Sequence, residues 1–237
     1  DDKYAHLNLP PALVAEIDRL TRTLGPNLQN VNLTGGEPFL RGDLVDIARA
    51  YYRNTGVRSV YITSNGSFPD RVERFARTVA AEFPDRKLII SLSIDSFADE
   101  HDRIRKLDGL FDKVLDTYHR VRSIGGGVMV NVAITVSHEN HRIVDDLYEH
   151  LIEERGVRAI TAIIVREEGV YEVPRDARAP VLESYRRLTD ALVRDMRSGR
   201  LDGYDPASLQ GRLMNRKNEM LYDIIVDTYL DPRFVST

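Results

Sequence analysis

With 237 residues, 42% of them apolar and 30% charged, the chain can bury the core of one α/β domain or of one and a half, and a disordered reading is excluded. Thirty-three basic residues against 37 acidic ones give a net charge of −4 with no long block of one sign, so no nucleic-acid or anionic-membrane partner is expected and the ligand is expected to be small. No long apolar run and no charged-then-apolar leader mark the chain, which makes the cytoplasm the expected location, and the absence of cysteine removes disulfides, thiol nucleophiles and cysteinyl metal sites from these residues.

In chain order, a helix is expected at about residues 11–24, ahead of the first visible strand, NVNLTG at 30–35. Helical patterns at 42–55, 70–83, 108–124 and 139–155 then alternate with the β-branched runs SVYITSNG (59–66), LIISLSID (88–95), VMVNVAITV (128–136) and AITAIIVR (159–166). Pro69-Asp70 and the stretch from Ser137 to Asn140 supply helix starts, and Gly56, Gly125 and Gly156 supply stops. Thr34 to Ser64 is 30 residues and Ser64 to Asp95 is 31, the length of a strand-plus-helix unit returning to the same level of a parallel sheet. Residues 205–230 read as a long amphipathic helix.

Side chains alternate sides along a strand, so Asn32 and Thr34 share a face, as do Tyr61, Thr63 and Asn65, then Ser91, Ser93 and Asp95, then Asn131, Ala133 and Thr135. The opposite face is aliphatic and is the one helices should cover. A barrel filled as a core carries bulky aliphatics inside, whereas this polar face suits a ligand. The last strand offers Thr161, Ile163 and Val165, a surface for a flat ring. The functional ends are the carboxyl ends of the strands.

LTGGEPFL, at 33–40, is the most informative such end. Gly35 and Gly36 let the backbone turn tightly and approach a ligand that a Cβ would block, and Glu37, followed by Pro38, presents acceptors suited to an ammonium group. An ordinary strand-to-helix turn is the alternative for a bare GGEP. Here the match runs on through LTGGEPFLRGDL, YITSNGS, SLSIDS, HDRIRK, GLFDKVLDTY and NVAITVSHEN in order, over about residues 10–170, and the chain resembles the radical S-adenosylmethionine enzymes.

That resemblance implies an α/β fold, a partial (β/α)6 TIM-like barrel of parallel strands whose core fills residues 1–170, with 171–237 a C-terminal helical segment. It also implies a [4Fe–4S] cluster that reduces S-adenosylmethionine to a 5′-deoxyadenosyl radical, which takes a hydrogen atom from a small-molecule or peptide substrate. The electron donor implied is of the flavodoxin or ferredoxin kind. By the same resemblance Gly35, Gly36 and Glu37 contact the methionine amino group, Ser93 and Asp95 lie in the ribose and methionine region, and Asn65 lines the cavity after Ser64, where threonine is commoner. Arg103 or Arg105 suits the methionine carboxylate, with a surface arginine as the equal alternative, and Asn131 and Val165 are candidates for ribose and adenine.

The family's cluster is held by a CxxxCxxC loop after its first strand, and thiolates are the usual iron–sulfur ligands. With no cysteine in the chain, the expectation is that DDKYAHLNLP begins just past that loop, and that a cysteine-rich SPASM or twitch extension follows DPRFVST. The alternative is a cluster-free scaffold that binds without catalysing. His138 and His141 read as part of a helix start rather than as metal ligands, so no metal site is expected, and His101 is expected in the loop after Asp95. The pairs Asp145-Asp146, Glu153-Glu154 and Glu167-Glu168 read as solvated charge, and Tyr51, Tyr52 and Tyr118 as helix packing.

Overall fold

The computed structural model describes residues 12–165, 174, 176–203 and 208–229. The expected extension of the first helix to residue 11, of the last strand to 166 and of the last helix to 205–207 and 230 lies outside them, as do Glu167-Glu168, DDKYAHLNLP and DPRFVST. Five parallel strands form one open sheet in sequence order: β1 (Asn30–Leu33), β2 (Ser59–Ser64), β3 (Lys87–Ser93), β4 (Val128–Val136) and β5 (Ile160–Ile164). Two compact units divide the chain, the first comprising Asp1–Ser64, Asp70–Ile90 and Val121–Met129, the second Asn65–Pro69, Ser91–Arg120 and Val130–Thr237.

In the first unit β1 and β2 pair in register from Asn30 beside Ser59 to Leu33 beside Ile62. Val60 and Ile62 are fully buried while Tyr61 and Thr63, which alternate with them, are exposed, the alternation a one-sided sheet requires. Helix α1 (Val14–Leu24) lies against α2 (Leu44–Asn54), where the Asn54 amide donates to Asp18 Oδ1 at 2.8 Å and to the Thr21 hydroxyl at 2.9 Å. α2 buries Leu44, Ile47, Ala48 and Tyr52 at helical spacing, and the Tyr52 hydroxyl donates to the Lys87 carbonyl at 2.8 Å. α3 (Pro69–Glu82) buries Val72, Phe75, Ala76 and Val79. Gly56, which stops α2, is fixed by close approach: a Cβ there would sit 1.9 Å from the Pro26 carbonyl oxygen.

In the second unit Leu92, Ile94, Val132, Ile134 and Val136 are fully buried, and Ser91, Ser93, Asn131 and Thr135 are only half-buried. β4 pairs with β5 from Val132 beside Ile160 to Val136 beside Ile164. Helices α4 (Ala98–Arg105), α5 (Leu110–Arg122), α6 (Val144–Glu153), α7 (Arg178–Ser198) and α8 (Leu209–Tyr229) complete the described elements, with α7 packed on β5, α6 and α8. Asp102 caps α5, its carboxylate accepting from the Gly109 and Phe111 amides at 2.6 and 2.9 Å. The Tyr118 hydroxyl accepts from the amides of Arg158 and Ala159 at the start of β5, and buried Asp195 of α7 accepts from Tyr148 of α6 at 2.8 Å and from Arg200 at 2.8 Å.

Truncating Leu92, whose side chain is fully buried, to alanine should cost about 2–5 kcal/mol through transfer and cavity terms. Thr63→Ala on the exposed face should cost less than about 1 kcal/mol. Urea midpoints of the two variants check this, and equal losses would mean that the buried face is wrongly assigned.

Candidate functional site

Beyond β1 the chain runs through Gly35 and Gly36 into a short 3-10 turn, Pro38–Leu40, for which Glu37 is the N-terminal cap. The Glu37 backbone is extended (φ −120, ψ 111), so its side chain can fold back over the turn, and Oε1 accepts the Phe39 amide at 3.0 Å. The same oxygen accepts the hydroxyl of Ser64, the last residue of β2, at 2.9 Å. Phe39 anchors this turn from below: it is buried, meets the ring of Phe75 edge-on at 5.5 Å, and its carbonyl accepts from Arg71 at 3.1 Å. Pro38 is buried with it. Above, the edge is open. Both glycines are exposed, and a Cβ built on either Gly35 or Gly36 meets no atom within 4 Å. A rigid, half-buried carboxylate thus stands beside backbone that a ligand can touch, which is chemistry for a cation held by an acceptor and two bare peptide groups.

The other sequence-assigned residues lie in the second unit. Asn65 forms a turn in which Oδ1 accepts the Ser67 amide at 3.0 Å. Gly66 follows at φ +70, where a Cβ would press to 3.1 Å on Val114, and its carbonyl accepts the Thr117 hydroxyl at 2.8 Å. Ser93 ends β3 half-buried. Asp95 is held on both oxygens: Oδ1 accepts the Thr135 amide at 2.9 Å and Oδ2 pairs with Arg105 at 2.7 Å. Arg103 instead forks onto Glu100 on the outer surface of α4, at 2.8 and 2.5 Å. Asn131 donates its amide to the hydroxyls of Ser91, at 3.2 Å, and of Thr161. Val165 is buried, its amide bonded to the Val136 carbonyl at 2.9 Å.

Three contributors escape sequence reading. Ser64 is placed on Glu37 by strand pairing, and nothing local to either residue announces that contact. Asn140 is 4% exposed and spans three groups, its amide nitrogen donating to the Asp95 and Thr135 carbonyls at 2.8 Å each while Oδ1 accepts the Ser137 amide at 2.8 Å. His101, expected in a loop, belongs to α4 and is 1% exposed, its ring 6.2 Å from Phe111 and its Nε2 without a partner. ADEHDRIR has no apolar period to betray a helix, but its acids in the first turn and arginines in the last follow the helix dipole and are the signal that finds it.

Elsewhere, the His141 ring bonds the His138 carbonyl at 3.0 Å. Among the described residues no group of three or more His, Cys, Asp or Glu is placed to hold a metal ion, and no helix is long and apolar enough to cross a membrane. A cavity of about 580 Å³ lies between α7 and α8, lined by charges of both signs, among which Glu219 pairs with both Arg197 and Arg216.

The sequence model of the Radical SAM superfamily matches residues 6–151. Among curated relatives, Fe-coproporphyrin III synthase of Methanosarcina barkeri (strain Fusaro / DSM 804) is 28% identical over 165 residues, covering 65% of this chain and 39% of its own. Molybdenum cofactor biosynthesis protein moc-5 of Caenorhabditis elegans is 31% identical over 146 residues, 60% of this chain and 23% of its own. GTP 3',8-cyclase of Cronobacter sakazakii (strain ATCC BAA-894) is 40% identical over 83 residues, 34% of this chain and 23% of its own. The solved structure of native anSMEcpe with bound AdoMet superposes with a TM-score of 0.56 at 20% identity, over 78% of this chain and 52% of that one, which is a likeness of fold. The chain therefore spans less than half the length of these curated relatives.

Burial pushes the His101 pKa down from its ordinary value, opposed by the charge of Asp95. As pH falls, the unfolded chain takes up this proton before the folded one, so the stability the neutral ring contributes is complete above about pH 6.5 and is lost progressively below it. Thermal midpoints at about pH 7.5 and about pH 5.5 should fall further for the wild-type chain than for His101→Leu, which cannot titrate. The same pH dependence in both would contradict the buried, neutral assignment.

Proposed function

Because the chain belongs to the radical S-adenosylmethionine superfamily, we propose that it is the core of an enzyme that binds S-adenosylmethionine, and that Gly35, Gly36 and Glu37 take the amino end of that ligand. One observation carries the reading. The Glu37 carboxylate is locked by two hydrogen bonds to Oε1 next to two exposed glycines above which there is open space. A charge-assisted bond from the ligand ammonium to this edge is stronger than a neutral one, and the fixed carboxylate loses little freedom in making it. The solved likeness is a protein with bound AdoMet, which supports the choice of ligand.

In the second unit the candidates differ in what they offer. Ser93 and Asn131 present half-buried polar groups suited to ribose hydroxyls, and Asn65 presents a turn. Asp95 and Arg105 neutralise one another, so either would meet a ligand as part of an ion pair. Arg105 is the better placed of the two arginines for a carboxylate, since Arg103 is engaged on the outer face of its helix. Pro38 and Val165 are buried and would act by shape.

S-adenosylmethionine supplies a sulfonium for reductive cleavage, and the reaction class proposed is hydrogen-atom abstraction from a small-molecule or peptide substrate, with an electron from a flavodoxin- or ferredoxin-like donor. The residues present do not fit a [4Fe–4S] cluster, because none of the 237 is cysteine. No step through a cluster is assigned to them. This chain's own part is to bind and orient the cofactor. The lack of cysteine also favours a second reading, a scaffold that binds without catalysing.

Gly36→Val should fill the open space and abolish binding of S-adenosylmethionine to the 237-residue chain in an NMR-detected titration while leaving the urea midpoint near wild type. Glu37→Ala should weaken binding roughly ten- to a hundredfold, the equivalent of about 1.5–3 kcal/mol for a lost charged hydrogen bond. Glu154, an exposed acid paired with His150, should lose almost nothing on change to alanine. Equal affinities for the Glu37 and Glu154 variants would reduce the glycine edge to an ordinary turn. Incubation of the same polypeptide with iron and sulfide should develop no cluster absorbance, and a stable brown protein would contradict the reading that these residues do not fit a cluster.

A further inference from the structure

Ser64 is 2% exposed, and its hydroxyl donates to Glu37 Oε1 at 2.9 Å across 27 residues of sequence. The partner is thus a carboxylate on a separate element. The geometry around that carboxylate shows what the contact adds. The Phe39 amide holds Oε1 from within the Glu37 turn, and the last torsion of a glutamate side chain is broad. A second donor on the same oxygen, from a neighbouring strand, restricts that torsion. Both donors rest on ordered supports: Phe39 is clamped by Phe75 and Arg71, and Ser64 closes β2, which pairs with β1 from Ser59 to Ile62, two residues before it.

We propose that Ser64 is a positioning residue: through its hydrogen bond to Oε1 it fixes the Glu37 carboxylate in the orientation that accepts a ligand ammonium at the Gly35-Gly36 edge. The inference rests on the reading that Glu37 binds the amino end of S-adenosylmethionine, and it adds that affinity there is set by preorganisation as well as by charge. A glutamate free to rotate would order itself at the moment of binding and bind more weakly. Ser64 itself touches no ligand in this account.

The test is a double-mutant cycle on the 237-residue chain with S-adenosylmethionine as the probe, reading Kd, the fraction of chains competent to bind, and the urea midpoint. Ser64→Ala should raise Kd about three- to tenfold at full binding competence, and Ser64→Cys, nearly the same size with a weaker donor, should shift it the same way. In the Glu37→Ala background, Ser64→Ala should change Kd by less than about twofold, because the group it orients is gone. A Kd unchanged by Ser64→Ala, with only the competent fraction or the urea midpoint lowered, would make the serine a folding contact and overturn the inference. So would equal weakening in both backgrounds. If Ser64→Ala does not fold, Ser64→Cys at wild-type Kd overturns it equally. Failure of the underlying reading looks different: Glu37→Ala alone would then bind as tightly as wild type, or the wild-type chain would not bind at all.

Discussion

The period-two alternation of side chains along parallel strands governs this molecule. Once Val60 and Ile62, Leu92 and Ile94, or Val132, Ile134 and Val136 are committed to burial, every residue between them is committed to the other face. That face carries Tyr61 and Thr63 in one unit and Ser91, Ser93, Asn131 and Thr161 in the other, and these are exposed or half-buried. A register slip of one residue would put hydroxyls and amides into the core, so the aliphatic pattern enforces a polar surface at no separate cost in design. Asn131 shows how that surface is kept in order, its amide bridging the hydroxyls of Ser91 and Thr161 on the strands to either side.

The glycine edge obeys a second, local logic. A 3-10 turn leaves its first amides without partners, and an acidic side chain at the cap is a cheap way to satisfy one. Glu37 does this for Phe39, with Pro38 at a position where a missing amide hydrogen is no loss. The same Oε1 also accepts the Ser64 hydroxyl at the end of β2, and Phe39 is buried edge-on against Phe75. The cap that satisfies the turn thus also fixes the carboxylate, and Gly35 and Gly36 leave open space beside it.

Much of this was legible in the sequence because it is written locally. The five strands fall within about two residues of the β-branched runs, and β4 matches its run from 128 to 136. The parallel order and the open edge at 35–37 follow from helix–strand spacing and turn chemistry. What escaped reading depends on partners distant in sequence: Asn140 on the Asp95 carbonyl and Ser64 on Glu37 are tertiary contacts that no period announces. The pairing of Arg105 with Asp95 and of Arg103 with Glu100 could not be told apart from sequence, since both arginines sit in the last turn of one short helix. α4 was missed because its only buried residue is a histidine, which gives no amphipathic stripe.

The claim at the centre is that the cation site lies at the Glu37 carboxylate beside Gly35 and Gly36. The Phe39 amide proton, bonded to Glu37 Oε1 at 3.0 Å, is a built-in reporter of that carboxylate. In an amide-resolved NMR titration of the chain with S-adenosylmethionine, the amide signals of Gly35, Gly36, Glu37 and Phe39 should shift together along one saturable curve. Shifts confined to the cavity between α7 and α8, with the Phe39 amide unmoved at saturation, would contradict the account.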